Sequence, residues 1–240
     1  MLTFTAAYYS EAGGRPTNQD CADMVQKDNQ LLLVVADGVG GYRGGERASQ
    51  IAVDTVRDVF LRSVRTESTD HLVLLAAAEV EAATRSQNEH ATMRTTIAAV
   101  LCDEMGICCS HVGDSRIYII RDKMLAYVSR DHSVRQQALD QGAMPEPGSE
   151  HIITRALGEP GRSMPDSHRV RFMWKAGDAV LVCSDGFWEL TSSEEIMEHF
   201  SASLDAETWL NSMMRSVETR QNMNSDNCTC VVVYFGESED

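Results

Sequence analysis

Residues 95–128 read TTIAAVLCDEMGICCSHVGDSRIYIIRDKMLAYV, and this stretch decides the fold. Apolar runs at 95–102, 107–112 and 116–120 are separated by turn-forming clusters at 103–106, 113–115 and 122–123. Successive hairpins of this kind predict an antiparallel sheet. Further Val-, Ile- and Leu-rich runs at 31–36, 179–183 and 229–235 read as additional strands.

Helical spacing lies on either side of these strands. Between 46 and 64, Ala48, Ile51, Ala52, Thr55, Val56, Val59 and Phe60 recur every three or four residues, as on one face of a helix. A second helix is predicted over 72–86, where the run 72–78 is apolar on most sides and calls for a covered position. Ser192 with Glu195 forms a capping-box signature opening a short helix to Phe200, and Leu210, Met213, Met214 and Val217 mark another helical face. Strands grouped in blocks between long helices indicate sheets covered by helices rather than a parallel βαβ array.

The chain has 240 residues, 43% of them hydrophobic, which is enough for one well-filled domain. Acidic residues outnumber Lys and Arg by 36 to 21, a formal net charge of -15 that repels a nucleic-acid backbone. The seven cysteines contain no C-x-x-C pair and read as buried free thiols, and no long apolar segment predicts a membrane span. A cytoplasmic, monomeric protein without nucleic-acid or membrane partners is the expectation.

Chemistry is signalled by a recurrent corner in which an apolar strand ends in Asp followed by a small residue. It occurs at Asp37-Gly38, Asp114-Ser115 and Asp185-Gly186, and a fourth acidic corner, Asp226-Asn227, precedes the last strand. Any one of these is an ordinary turn. Four strand-end carboxylates can converge on one side of a sheet, and that crowding calls for hard divalent cations such as Mg²⁺ or Mn²⁺. Two such ions would activate water and stabilise charge on a phosphoryl group without any Ser, Cys or His nucleophile. Gly38 and the Gly40-Gly41 tract would let backbone and phosphate approach the ions closely.

In chain order, the segments Arg15-Pro16-Thr17-Asn18-Gln19-Asp20, Asp37-Gly38-Val39-Gly40-Gly41, Thr95-Thr96, Gly113-Asp114-Ser115-Arg116, Asp131-His132-Ser133, Thr154-Arg155-Ala156-Leu157-Gly158, Ser184-Asp185-Gly186-Phe187 and Asp226-Asn227 resemble the PPM family of metal-dependent protein phosphatases, the type 2C serine/threonine enzymes. The resemblance implies an α+β fold: a central β-sandwich of two antiparallel sheets flanked by α-helices on both sides, forming one catalytic domain over 1–240 with a flap around 134–153. It implies phosphoserine and phosphothreonine proteins as substrates and two tightly bound Mn²⁺ or Mg²⁺ ions with a third, weaker one. Asp37 would bridge the pair, Gly38 would give a carbonyl oxygen, Asp185 and Asp226 would hold the first ion, and Asp20 would act at or just behind them. Asp114 matches the position that helps hold the third ion, and Arg15 the arginine that grips substrate phosphate. Family context adds a cognate serine/threonine kinase and a phosphopeptide-binding protein as partners, and type VI secretion as one setting.

Three departures stand out. Gln19 replaces the usual Glu before Asp20, which makes a charged contact neutral. Val39 replaces a His that some members carry, so leaving-group protonation must come from elsewhere, such as metal-bound water. Arg94 replaces Gly before the Thr-Thr pair and reads as an exposed cation at a strand start, with a role in substrate binding as the alternative. Two rival readings remain. A two-metal phosphodiesterase or nuclease is opposed by the net charge. A catalytically weak type 2C-like binding or regulatory module is opposed by the joint presence of Asp37, Asp185 and Asp226.

Overall fold

The computed structural model describes residues 3–39, 44–86, 93–149 and 151–236. Its logic is clearest at β3 (Gln30–Asp37), whose apolar run is continuous instead of alternating. Successive strand side chains face opposite ways, so Leu31, Leu33 and Val35 enter one core and Leu32, Val34 and Ala36 enter another. A strand covered on both faces can be apolar throughout.

Two five-stranded sheets create those faces, and every pairing in them is antiparallel. One contains β1 (Phe4–Glu11), β10 (Cys228–Phe235), β9 (Ala179–Cys183), β6 (Arg116–Arg121) and β7 (Met124–Val128), in that order. The other runs β2 (Asp20–Lys27), β3, β4 (Ile97–Asp103), β5 (Gly106–Val112) and β8 (Asp166–Arg171). Between them, Leu33, Val100, Ile117, Val182 and Val231 belong to the inter-sheet core. Helices α1 (Gly45–Arg62) and α2 (Thr69–Ser86) cover the outer face of the second sheet through Val56, Phe60 and Leu72. The first sheet is covered by α5 (Ser193–Ser201) and α6 (Ala206–Arg220), where Phe200, Trp209 and Met213 pack on Leu181 and Val232. The predicted α+β sandwich flanked by helices on both sides is therefore the observed architecture.

Local signals act as their chemistry demands. Ser192 and Glu195 form both bonds of the capping box at the start of α5. The β6–β7 turn is made by Asp122 and Lys123 with φ of 50° and 60°, the left-handed pair that matches strand twist in a two-residue hairpin. Two short helices were not anticipated. One is α3 (Val134–Asp140), opened by Ser133 accepting from the Gln136 amide, and the other is α4 (Asp185–Trp188).

Trp209 is fully buried, its indole N–H reaches the Ile196 carbonyl at 3.3 Å, and its ring meets Phe200 edge-on at 5.3 Å. Trp209→Ala should therefore lower the unfolding free energy by about 3–5 kcal/mol in urea titration. Val64→Ala, at a position 97% exposed, should change it by less than about 0.5 kcal/mol. Equal effects would contradict the assignment of this layer as core.

Candidate active site

Antiparallel register brings the acidic corners to one end of the sandwich. Asp37 closes β3 directly opposite Asp20, which opens β2. Asp185 follows β9 and Asp226 precedes β10, and these two strands are paired. Asp114 follows β5 by way of Gly113, and Arg15 lies in the loop after β1. A cavity of about 880 Å³ opens here, and Arg15, Asp37, Gly38, Asp114, Asp185 and Asp226 all line it. Asp20 lies behind that wall, where its Oδ2 accepts from Ser184 Oγ at 2.7 Å. Gly40 and Gly41 lie outside the described residues.

Several contacts fix this end of the molecule. The Thr95-Thr96 pair holds Asp37: the Asp37 amide donates to Thr96 Oγ1 at 2.9 Å, and its carbonyl accepts from Thr95 Oγ1 and the Thr96 amide, both at 2.8 Å. Asn227 staples the loop carrying Arg15, donating to the carbonyls of Ala12 and Thr17 at 2.9 and 3.0 Å while its Oδ1 accepts from the Gln19 amide at 2.8 Å. Gly186 permits the β9 and β10 corners to close, since a Cβ there would lie 2.1 Å from the Asn227 carbonyl oxygen. Arg15 donates to Asp226 Oδ2 at 2.8 Å, and both side chains keep substantial solvent exposure. Such a pair contributes little to stability, so Arg15 can exchange partners at small cost. Arg94 is not the exposed cation the sequence predicts. It is partly covered and pairs with Glu159 at 3.4 Å, because the loop after Leu157 folds back over it.

The electrostatics are severe. Burial, followed by repulsion from Asp185, Asp20 and Asp114, pushes the Asp37 carboxyl far above the ordinary range. Burial likewise raises Asp114, with Asp185 the main repelling charge, and raises Asp185, repelled by Asp226. Asp20 is pushed up by burial to about 7 in spite of its Ser184 bond. Among the described residues, Asp20 Oδ1 and Asp185 Oδ1 are buried without a hydrogen-bond partner. Orphaned oxygens on mutually repelling carboxyl groups are the donor set that hard divalent cations take, so the residues present fit such ions.

Two further wall residues escaped the sequence. His151 Nδ1 contacts Glu189 Oε1 at 2.7 Å, and ligand atoms of His151, Asp185 and Glu189 all lie within 4.8 Å of one another. Glu189 stands four residues after Asp185, a spacing that places both on one side of a helical turn and could have flagged it. Nothing in the sequence singles out His151.

Comparison with known proteins agrees with this geometry. Residues 10–226 match the family model described as Protein phosphatase 2C. The chain is 31% identical over 206 residues to the serine/threonine phosphatase stp of Listeria monocytogenes, covering 77% of each chain. Among solved structures, it resembles the catalytic domain of the serine threonine protein phosphatase PstP in complex with two manganese ions, with TM-score 0.80, 28% identity, and coverage of 99% of this chain and 100% of that one. It also resembles PppA of Pseudomonas aeruginosa, described as a key regulatory component of its type VI secretion system, with TM-score 0.73, 27% identity and coverage of 97% and 98%. With the family model spanning most of the sandwich and all four acidic corners, the chain belongs to the protein phosphatase 2C family.

Proposed function

We propose that this protein removes phosphate from phosphoserine and phosphothreonine proteins at a centre of two divalent cations, Mn²⁺ or Mg²⁺. The carrying observation is the group of repelling carboxyls with orphaned oxygens at one end of the sandwich. In this reading the Asp37, Asp185 and Asp226 carboxylates and the Gly38 carbonyl oxygen would hold the two ions. Asp20 supports them from behind, and Asp114 helps hold a third, weaker ion. Bound there, the cations would supply an ionised water and offset charge on the phosphoryl oxygens. Arg15 leaves Asp226 to grip the phosphate with its paired donors. Thr95 and Thr96 keep the Asp37 backbone fixed meanwhile, so that little reorganisation accompanies reaction.

The segment 134–153 is our candidate flap for substrate selection within a single catalytic domain, since His151 and Ile153 line the cavity. All seven cysteines are free, which favours a reducing cytoplasm, and among the described residues no helix is long and apolar enough to cross a membrane. Opposition to a serine/threonine kinase, with a phosphopeptide-binding protein as further partner, is the reading that protein phosphatase activity supports. A type VI secretion setting is supported by the likeness to PppA. We take the working unit to be a monomer.

Activity on an aryl phosphate should vanish on chelation and return with Mn²⁺ or Mg²⁺; full activity after chelation would refute the centre. The metal-free protein should also show a particular pH dependence. Asp20 is raised from 3.8 to about 7, so the folded state binds its proton more tightly than the unfolded chain does. Its stabilising contribution is complete below about pH 4 and is lost as pH rises through about 7. The melting temperature of chelated protein should therefore fall over that window. Mn²⁺ should raise it more at the upper end than at the lower, because ligands must be deprotonated to bind. A flat profile with and without Mn²⁺ would contradict the site.

Asp185→Asn and Asp226→Asn should each cost more than the ~10–100-fold typical of groups that merely support ligands. A folded Asp185→Asn protein with ordinary turnover would remove it from the centre. Arg15→Ala should lower kcat/KM on a phosphopeptide by about 10- to 100-fold, and Arg15→Lys should recover part of that. Unchanged steady-state kinetics in both would leave Arg15 as no more than a surface partner of Asp226.

A further inference from the structure

The Asp131-His132-Ser133 segment has no role in the chemistry above, yet His132 is 6% exposed and every polar atom it owns is engaged. Its backbone amide donates to the Gly113 carbonyl at 2.9 Å, and its Nδ1 accepts from the Gly113 amide at 3.1 Å. One residue thus takes both backbone groups of the glycine immediately before Asp114. Accepting at Nδ1 requires the proton on Nε2, which faces Asp166 Oδ2 at 3.1 Å, with Arg155 Nη1, itself paired to Asp166, 3.3 Å from the same nitrogen. The ring also stacks on His111 at 4.6 Å, and His111 is anchored through Nε2 to the Arg130 carbonyl at 2.7 Å.

Gly113 needs such a grip. Its φ of 101° is a conformation that L side chains rarely adopt, and a Cβ there would lie 2.6 Å from Thr96 Cγ2. Asp114 is then held on its far side by Trp188, whose indole N–H donates to the Asp114 carbonyl at 2.9 Å. Arg116 lies 3.5 Å over the Trp188 ring and forks onto Asp131 at 2.8 and 2.7 Å, which ties the residue before His132 into the same frame.

His132 is also the point where the candidate flap is tied off. Its carbonyl accepts from the Thr154 amide at 2.7 Å, Ser133 bridges to Ile153, and the Val134 amide donates to the Ile152 carbonyl at 2.8 Å. The segment thus leaves and returns at the residue that clasps Gly113.

We propose that His132 is a positioning residue for Asp114: it holds the Gly113 backbone by two hydrogen bonds and couples the base of the 134–153 segment to the acidic wall of the site. The inference rests on the reading that Asp114 serves turnover of phosphoprotein. A displacement of the segment by a bound substrate would reach Asp114 through this clasp.

A double-mutant cycle on a phosphopeptide tests it, using His132→Ala, Asp114→Ala and the combination. His132→Asn serves as the conservative variant, because an Asn oxygen can take the place of Nδ1. His132→Ala should lower kcat by about tenfold with little change in KM, and His132→Asn should recover most of it. The double variant should be no slower than Asp114→Ala alone, because residues acting as one unit are not additive. Independently of activity, amide exchange at Gly113 in chelated protein should accelerate in His132→Ala and stay near wild type in His132→Asn. Should His132→Ala fail to fold, Asp166→Ala, which removes the acceptor facing Nε2–H, should show the same faster exchange in milder form. Additive losses in the double variant, or unchanged Gly113 exchange in folded His132→Ala or Asp166→Ala, would overturn the inference. Wild-type turnover in Asp114→Ala would instead overturn the role given to Asp114, and the clasp would still be reported by Gly113 exchange.

Discussion

Mutual repulsion among desolvated carboxyl groups governs this molecule. Burial raises Asp20, Asp37, Asp114 and Asp185, and charge adds to it: Asp185 repels the other three and is itself repelled by Asp226. In a domain stabilised by only about 5–15 kcal/mol, such a cluster persists only if the surrounding scaffold is strong and a compensating charge is available. The scaffold is the doubly covered core of β3, β4, β9 and β10, whose inward and outward side chains are almost wholly excluded from water. The compensating charge comes partly from Arg15, an exposed group able to move, and in our reading chiefly from divalent cations.

How the corners are held is as informative as the corners themselves. Thr95 and Thr96 hold the Asp37 backbone, Asn227 ties the Arg15 loop to the Asp226 corner, and Ser184 restrains Asp20. These uncharged groups fix positions without adding to the repulsion. Charged side chains are used one step further out, as in the Arg116–Asp131 fork and the Arg155–Asp166 pair at 2.8 Å. Rigid placement of the acids next to a segment that leaves and returns at one residue suits a site that must admit large protein substrates.

Which strands the sequence revealed follows from their place in the sheets. β3, β4, β5, β6, β9 and β10 have a neighbour on both sides and read as apolar runs. The four edges, β1, β2, β7 and β8, did not stand out individually. The edge strand β8, Asp-Ser-His-Arg-Val-Arg, is polar, and its strand character comes from the partner it pairs with. The acidic corners were legible because each joins an apolar run to a turn residue, a local pattern. His151 was not, because its contact with Glu189 depends on how the segment before Ile153 lies beside α4, which no local pattern encodes. The same is true of His132, visible as part of a motif while its grip on Gly113 exists only in three dimensions.

Anomalous diffraction from crystals grown with Mn²⁺ tests the central claim most directly. The account predicts two strong peaks bridged by Asp37, with Asp185 and Asp226 on one of them and Arg15 detached from Asp226. Peaks confined to His151 and Glu189, with none at Asp37, would contradict it.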